Sequence, residues 1–297
     1  MGKPAKPTPY SYSGDRFDNL LDGSNLDPSI QARGLQISGN GGNDTLKGGS
    51  GQDTLSGGEG NDYLFASRED LVGVSAGANV YDGGGGSDTL DLSGIAYTPG
   101  TGTYVQLVGG AKGSNWIETD ITFPHHTMDT SPVPYSAQYK NNFSGIENFV
   151  LGDGNDLIQL LGATGNNRIV AGGGDDHILA GDGADIVDGG AGDDLISGGW
   201  GSDILTGGSG SDEFVWQGRV VGEYTLDRIT DFNPAEDKLA LWSGWAVDWD
   251  ENSPNLLHAF LMDNGVMWGE ITFDGLTFAD APNVVILGID SVSGDLI

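Results

Sequence analysis

An aspartate returns every ninth residue through much of this chain, set in a glycine-rich turn and followed two places later by one apolar residue. The stretch GGNDTLKGGSGQDTLSGGEGNDYL, from Gly41 to Leu64, holds three such aspartates, Asp44, Asp53 and Asp62. Glycine costs a helix about 1 kcal/mol per position relative to alanine, so these segments are not helical. The apolar residues are too sparse for an ordinary strand with one buried face. The template G-G-x-G-x-D-x-U-x, with U apolar, fits eleven units: three from Gly39 to Phe65, one at Gly83–Asp91, one at Leu151–Gln159 and six without a break from Gly162 to Val215. The eighth place holds Leu46, Leu55, Leu64, Leu90, Ile158, Ile169, Ile178, Val187, Ile196, Leu205 and Phe214. The sixth is aspartate in ten units and Asn167 in the other. Two weaker copies extend the array: Val74–Asp82, which keeps Gly77 and Tyr81, and Asn142–Val150, which keeps Gly145, Glu147 and Phe149.

Each unit reads as a tight turn plus a very short strand whose one apolar side chain points inward. A single unit cannot bury that side chain, but stacked units pair their strands in parallel and gather the apolar residues into a column, giving a solenoid. Stacking also lines up the carboxylates, ~4–5 Å apart, where like charges repel by about 3–4 kcal/mol per pair at an effective dielectric of ~20. Net charge compounds the problem: 43 acids stand against 12 bases, a formal charge of −31. Such a chain repels nucleic-acid phosphates and anionic membrane surfaces. Glycine accounts for 52 of 297 residues without a Gly-X-Y triplet, so collagen is excluded. The absence of cysteine leaves carboxylates and turn carbonyls as the main donors, a hard-oxygen set that favours Ca²⁺ over zinc or copper. A divalent cation between the turns reverses the sign of the repulsion, so the chain is expected to fold when calcium is bound.

These nonapeptides resemble the RTX (repeats-in-toxin) proteins, hemolysin-type calcium-binding chains exported by type I secretion. The resemblance implies a parallel β-roll with two units per coil, several Ca²⁺ ions between coils, and ligands from both facing turns. On this pattern Gly172, Gly174 and Asp176 face Gly189, Ala191 and Asp194; Gly181, Gly183 and Asp185 face Gly198, Trp200 and Asp203. Gly190, Gly192 and Asp194 face Gly207, Ser209 and Asp212, and in the first block Asn40, Gly42 and Asp44 face Gly57, Glu59 and Asp62. Ala163, Gly165 and Asn167, opposite Ala180, Asp182 and Asp185, form a weaker site because Asn167 lacks the charge. Gly199, Gly201, Gly208 and Gly210 complete the last turns, Asp88 and Asp156 belong to the isolated units, and the out-of-phase stretch Ala66–Gly73 leaves the partners of Asp53 open. The segment LDRITDFNPAEDKLAL resembles the closing segment of RTX proteins, with Asp231 and Asp237 as terminal ligands or simple caps.

The organisation expected is all-β: an N-terminal cap at 1–38, a first block at 39–92, a β excursion at 93–141, a second block at 142–215 and a C-terminal β-rich cap at 216–297. The stretch MGKPAKPTPYSYSGDRF, with Lys3 and Lys6 but no apolar run after them, is not expected to act as a cleavable secretory signal, and the ending SGDLI resembles the uncleaved signal of type I substrates. His125, His126 and Asp129 in FPHHTMD read as surface-loop residues, since adjacent histidines on a strand point apart. His177 takes an outward position, His258 falls in a helix or turn, and neither has an evident partner. Trp242, Trp245 and Trp249 are spaced as on a helix and suit core packing or sugar stacking. No H-E-x-x-H, no cysteine nucleophile and no serine in a G-x-S-x-G elbow is expected, so the chain is read as non-catalytic. The leading expectation is a secreted or surface-associated calcium-binding protein with a structural, surface-layer, matrix or adhesion role, open to self-association or contact with surface polysaccharide. A glycan-binding or glycan-modifying accessory module is the alternative, and a membrane-active toxin a third.

Overall fold

The computed structural model describes residues 8–66, 79–94, 102–106, 116–121, 141–160, 164–216, 225–242, 245–263 and 265–289. The chain forms two compact units, Met1–Ala96 with Ser114–Thr119 and Ala137–Gly152, and Tyr97–Gly113 with Asp120–Ser136 and Asp153–Ile297. Both are parallel β-rolls.

In the first unit, two stacks of strands face each other across a narrow core. One contains Tyr10–Ser13, Leu35–Gly41, Thr54–Glu59, Val80–Gly85 and Asn141–Ser144; the other contains Leu20–Asp22, Thr45–Lys47, Tyr63–Phe65, Thr89–Asp91 and Asn148–Val150. Every step in both stacks is parallel. The register aligns the apolar places: Ile37, Leu55, Tyr81 and Phe143 form one column, and Leu21, Leu46, Leu64, Leu90 and Phe149 the other. Leu46, Leu55, Leu64, Leu90 and Phe149 are all fully buried. Burying one such side chain contributes about 1.5–3 kcal/mol, and a single one in nine residues leaves much of the cohesion to backbone pairing. Residues 10–22 thus form a coil in register with the first repeats, followed by a short helix, Pro28–Gln31, that Asp27 caps through Ser29 N–H at 2.9 Å.

The second unit repeats the scheme. Val105, Ile158, Ile178, Ile196, Phe214, Leu239 and Ile286 stand in one register column, and Ile169, Val187, Leu205, Ile229 and Phe273 in the other. The coiling therefore continues past the last nonapeptide, through Thr225–Ile229 and Lys238–Trp242. Trp245–Trp249, Leu257–Asp263 and Val266–Phe273 then form an antiparallel meander on the strand Thr225–Ile229.

Several local expectations change. Gly102–Gln106 lies parallel to Leu157–Gln159 as a strand of the second roll, and Trp116–Ile121 pairs antiparallel with Asn141–Ser144 in the first. Trp242, Trp245 and Trp249 share no helix: Trp242 ends one strand, while Trp245 and Trp249 lie on another whose exposure alternates with period two. Alternation inside WAVDW outweighs the longer spacing, because side chains of a strand change face at each residue. His258 also lies on a strand and has a partner, with Nε2 2.7 Å from Glu270 Oε2. His125, His126 and Asp129 lie outside the described residues. Among those described, no helix is long and apolar enough to cross a membrane.

Candidate metal centre

The repeat aspartates are joined by hydrogen bonds that run from coil to coil. In the first unit the backbone N–H of Asn19 donates to Asp44 Oδ1, that of Asp44 to Asp62 Oδ1 and that of Asp62 to Asp88 Oδ1, each at 2.7 Å. Asp88 N–H continues to Glu147 Oε2 at 2.9 Å. On the other edge, Leu35 N–H donates to Asp53 Oδ1 at 2.6 Å, and Asp53 N–H to Asn79 Oδ1 at 2.7 Å. The second unit has two further ladders. One climbs from Asp156 through Asp176, Asp194 and Asp212 to Asp237, with bonds of 2.7 to 3.0 Å. The other climbs from Asn167 through Asp185 and Asp203 to Asp227, over the same range of lengths.

These bonds use one oxygen of each carboxylate. The second, Oδ2, is buried without a hydrogen-bond partner in Asp44, Asp62, Asp88, Asp176, Asp185 and Asp194. A buried, unsatisfied carboxylate oxygen is costly, and the groups respond by holding protons more tightly. Burial, reinforced by neighbouring carboxylates, pushes Asp176 up to about 9 and Asp194 and Asp203 up to about 8. Asp88, Asp185 and Asp212 are pushed up to about 6 by the same causes, burial first. Asp44, Asp62 and Asp237 shift in the same direction.

The glycines bring backbone oxygens to the same gaps. Gly190 and Gly192 adopt φ of 107° and 132°, and a Cβ on either would overlap the carbonyl of Gly172 or Gly174 in the coil before. Gly189 abuts Asp194 Oδ2 and the carbonyl of Gly207 in the coil after. Ala191 O and Ser209 O accept from Gly174 and Gly192 N–H at 2.7 and 2.8 Å. Gly199 and Gly201 stand over Gly181 O and Gly183 O, Gly208 and Gly210 over Gly190 O and Gly192 O, and Trp200 O accepts from Gly183 N–H at 2.7 Å. In the first unit Gly58 and Gly60 stand over Asn40 O and Gly42 O, while Gly57 O lies beside Gly39; Asn40 itself takes a positive φ of 78°. Glu59 pairs in register with Gly41 of the neighbouring coil.

Other expected residues are placed differently. Asp53 has both oxygens engaged, Oδ2 by Gly49 N–H at 2.8 Å. Asn167 Nδ2 donates to Gly165 O at 2.8 Å and so occupies a carbonyl of its own turn. Asp182 forms a bridge with Trp200 beside Ala180, which is buried. Gly198 abuts Asp203 Oδ2. Ala163 lies outside the described residues. Asp237 joins its ladder, but Asp231 accepts from Gly207 and Gly208 N–H at 3.0 and 2.8 Å and stands outside it. His177 is half-buried, and burial pushes its imidazole down to about 4, which keeps it neutral. Against the expectation of no esterase elbow, Gly73–Gly77 spells G-x-S-x-G; it overlaps the weak repeat copy Val74–Asp82 and lies outside the described residues.

Three ladder members are not among the residues expected from the sequence: Asn19, Asn79 and Asp227. Each stands two places before a buried apolar residue, Leu21, Tyr81 and Ile229, as Glu147 of the weak copy stands before Phe149, so the sixth-to-eighth spacing survives where most of the glycines are lost.

Among the described residues no three His, Asp or Glu side chains converge on one point. The donor set is mixed instead: paired carboxylates, each with a bare oxygen, beside uncharged carbonyls in glycine turns. Hard oxygen donors without nitrogen or sulfur suit Ca²⁺. The RTX calcium-binding nonapeptide repeat family matches four times, over 37–70, 75–91, 161–196 and 180–214.

The chain carries RTX calcium-binding nonapeptide repeats.

RTX repeats bind Ca²⁺, several ions to a roll. The bare Oδ2 atoms of these RTX turns fit that role, since a buried anion with one unused oxygen is what a cation neutralises. Comparison with curated proteins gives no match. Among solved structures, the chain is similar to the solution structure of the AlgE6R3 subunit from the Azotobacter vinelandii mannuronan C5-epimerase, at 23% identity. That likeness covers 50% of this chain and 77% of the other, with a TM-score of 0.28.

Proposed function

We propose that this RTX protein acts outside the cell as a calcium-folded structural component of a surface layer, matrix or adhesive, with no catalytic role of its own. The observation that carries the reading is the row of buried carboxylates with one bonded and one bare oxygen. At low calcium those anions repel each other and resist burial, which keeps an acidic chain unfolded and able to thread through a type I exporter. At millimolar calcium the ions bind between turns, with Asp44 and Asp62, or Asp176 and Asp194, contributing carboxylates and the adjacent turns contributing carbonyls. Metal binding and folding are then one equilibrium. Extracellular calcium modules commonly bind at about 10⁻⁴–10⁻³ M, which suits such a compartment switch. Trp249 favours core packing over a sugar platform, since its ring lies tilted against that of the buried Phe273, centroids 6.1 Å apart.

Circular dichroism of the purified full chain during a calcium titration tests the switch; native β signal in excess chelator at neutral pH would refute it. Electron microscopy with and without calcium tests the structural role, for which ordered calcium-dependent arrays are expected. Calcium-folded protein that stays monomeric at every concentration would refute that role while leaving the switch intact.

A further inference from the structure

In the ladders of the second unit Asp176, Asp185 and Asp194 each keep one bare oxygen, whereas Asp227 and Asp237 at its C-terminal end keep none. Asp227 is a regular member by its backbone: its Oδ1 accepts Asp203 N–H at 3.0 Å, and Ile229, two places on, is fully buried in the apolar column. Its Oδ2, however, accepts the indole Nε1–H of Trp216 at 2.6 Å. On the opposite ladder Asp237 Oδ1 accepts Asp212 N–H at 3.0 Å, and its Oδ2 accepts Asn233 N–H at 2.7 Å.

The repeat phase explains how tryptophan comes to be there. Gly189, Gly198 and Gly207 open the last three nonapeptides, and the next residue at that interval is Trp216. In each of the three, the opening glycine abuts Oδ2 of its own unit's aspartate, Asp194, Asp203 or Asp212. A side chain there would displace whatever the carboxylate faces. At residue 216 one is present, a buried indole whose N–H meets Asp227 Oδ2 directly.

We infer that Trp216 ends the ion column on its edge of the roll: its N–H takes the oxygen that interior aspartates leave for calcium, so Asp227 supports the fold without ligating an ion. This rests on the calcium-binding reading above and adds which carboxylates it excludes. Indole nitrogen is a donor only, so it cannot share the position with a cation. A hydrogen bond to an ionised acceptor is roughly twice as strong as a neutral one, and freeing Asp227 means moving a Trp216 that is only 7% exposed.

The experiment is a count of bound Ca²⁺ per full-length chain by equilibrium dialysis, with folding checked by circular dichroism in calcium. Asp227→Asn is expected to bind as many ions as the unmodified chain, whereas Asp194→Asn binds fewer. Trp216→Gly, which restores the opening glycine, is expected to bind one more. An ion lost in D227N, or a folded W216G with no ion gained, overturns the inference; should W216G not fold, D227N decides. An unmodified chain that takes up no calcium overturns the parent reading and this one together, a result distinct from a loss confined to D227N.

Discussion

The backbone N–H of Asp176 donates to Oδ1 of Asp194 at 2.8 Å, and Oδ2 of the same carboxylate is buried with no donor. One side chain therefore serves two ends. Half of it fastens a coil to the coil before, independent of any ion, and half is left as a negative pole. A second set of ladders runs the opposite way one residue earlier. Asp193 N–H donates to Asp175 Oδ1 at 3.0 Å, Ser211 N–H to Asp193 Oδ1 at 2.8 Å, and Asn61 N–H to Asn43 Oδ1 at 2.8 Å. Asparagine serves as well as aspartate in that place, since only an accepting oxygen is required.

The pH dependence follows from the raised carboxyls. Their folded pKa values, from about 6 for Asp185 to about 9 for Asp176, exceed the ordinary carboxylate value, so they favour the fold only while protonated. In calcium-free buffer that contribution is complete below about pH 4 and is lost as pH rises through 6 to 9. A calcium-stripped chain should therefore gain β circular-dichroism signal when taken from pH 8 to about 4. In calcium the same acidification should weaken ion binding, because protons compete for the ligands. Equal apo signal at both pH values would contradict the burial of these groups.

Asn167→Asp should tighten calcium binding by the second unit. The change removes the Nδ2 donor from Gly165 O and adds a charge opposite Asp185, and calcium affinity follows ligand charge. About a tenfold lower calcium midpoint is expected by isothermal titration, together with lower stability in chelator. A weaker midpoint would show that the asparagine is the better ligand here.

Gly190→Ala should destabilise the calcium-loaded roll by about 1–3 kcal/mol, since φ of 107° is strained for alanine and its Cβ would meet Gly172 O. A melting curve in excess calcium measures this; an unchanged midpoint would mean that the turns relax freely.

Leu205→Ala should cost about 2–5 kcal/mol in calcium, because Leu205 is 1% exposed and stacked between Val187 and Ile229. Ile204→Ala, one residue earlier and facing outward at 36% exposure, should cost far less. Denaturant unfolding of the pair distinguishes column from surface, and equal losses would overturn the assignment of faces.

The nine-residue period was enough by itself to determine a parallel solenoid, and the resemblance to RTX repeats supplied the roll with two units to a coil. One apolar residue at a fixed distance from one aspartate, as in Asp44 and Leu46, can be buried only by stacking copies in parallel. The oxygen-only donor set and the excess of acid likewise pointed to calcium. Tertiary structure decided which residues count as copies. Asp227 follows Asp203 at 24 residues along the chain, beyond the last nonapeptide, where no fixed spacing marks it. Parallel pairing requires a match only along a few residues of strand, so turns of unequal length leave the register intact while erasing the period. Structure also decided how each carboxylate divides its oxygens. Whether Oδ2 is bare, as in Asp194, or meets an indole, as in Asp227, depends on what the fold packs beside it, which a residue's own sequence neighbours do not specify.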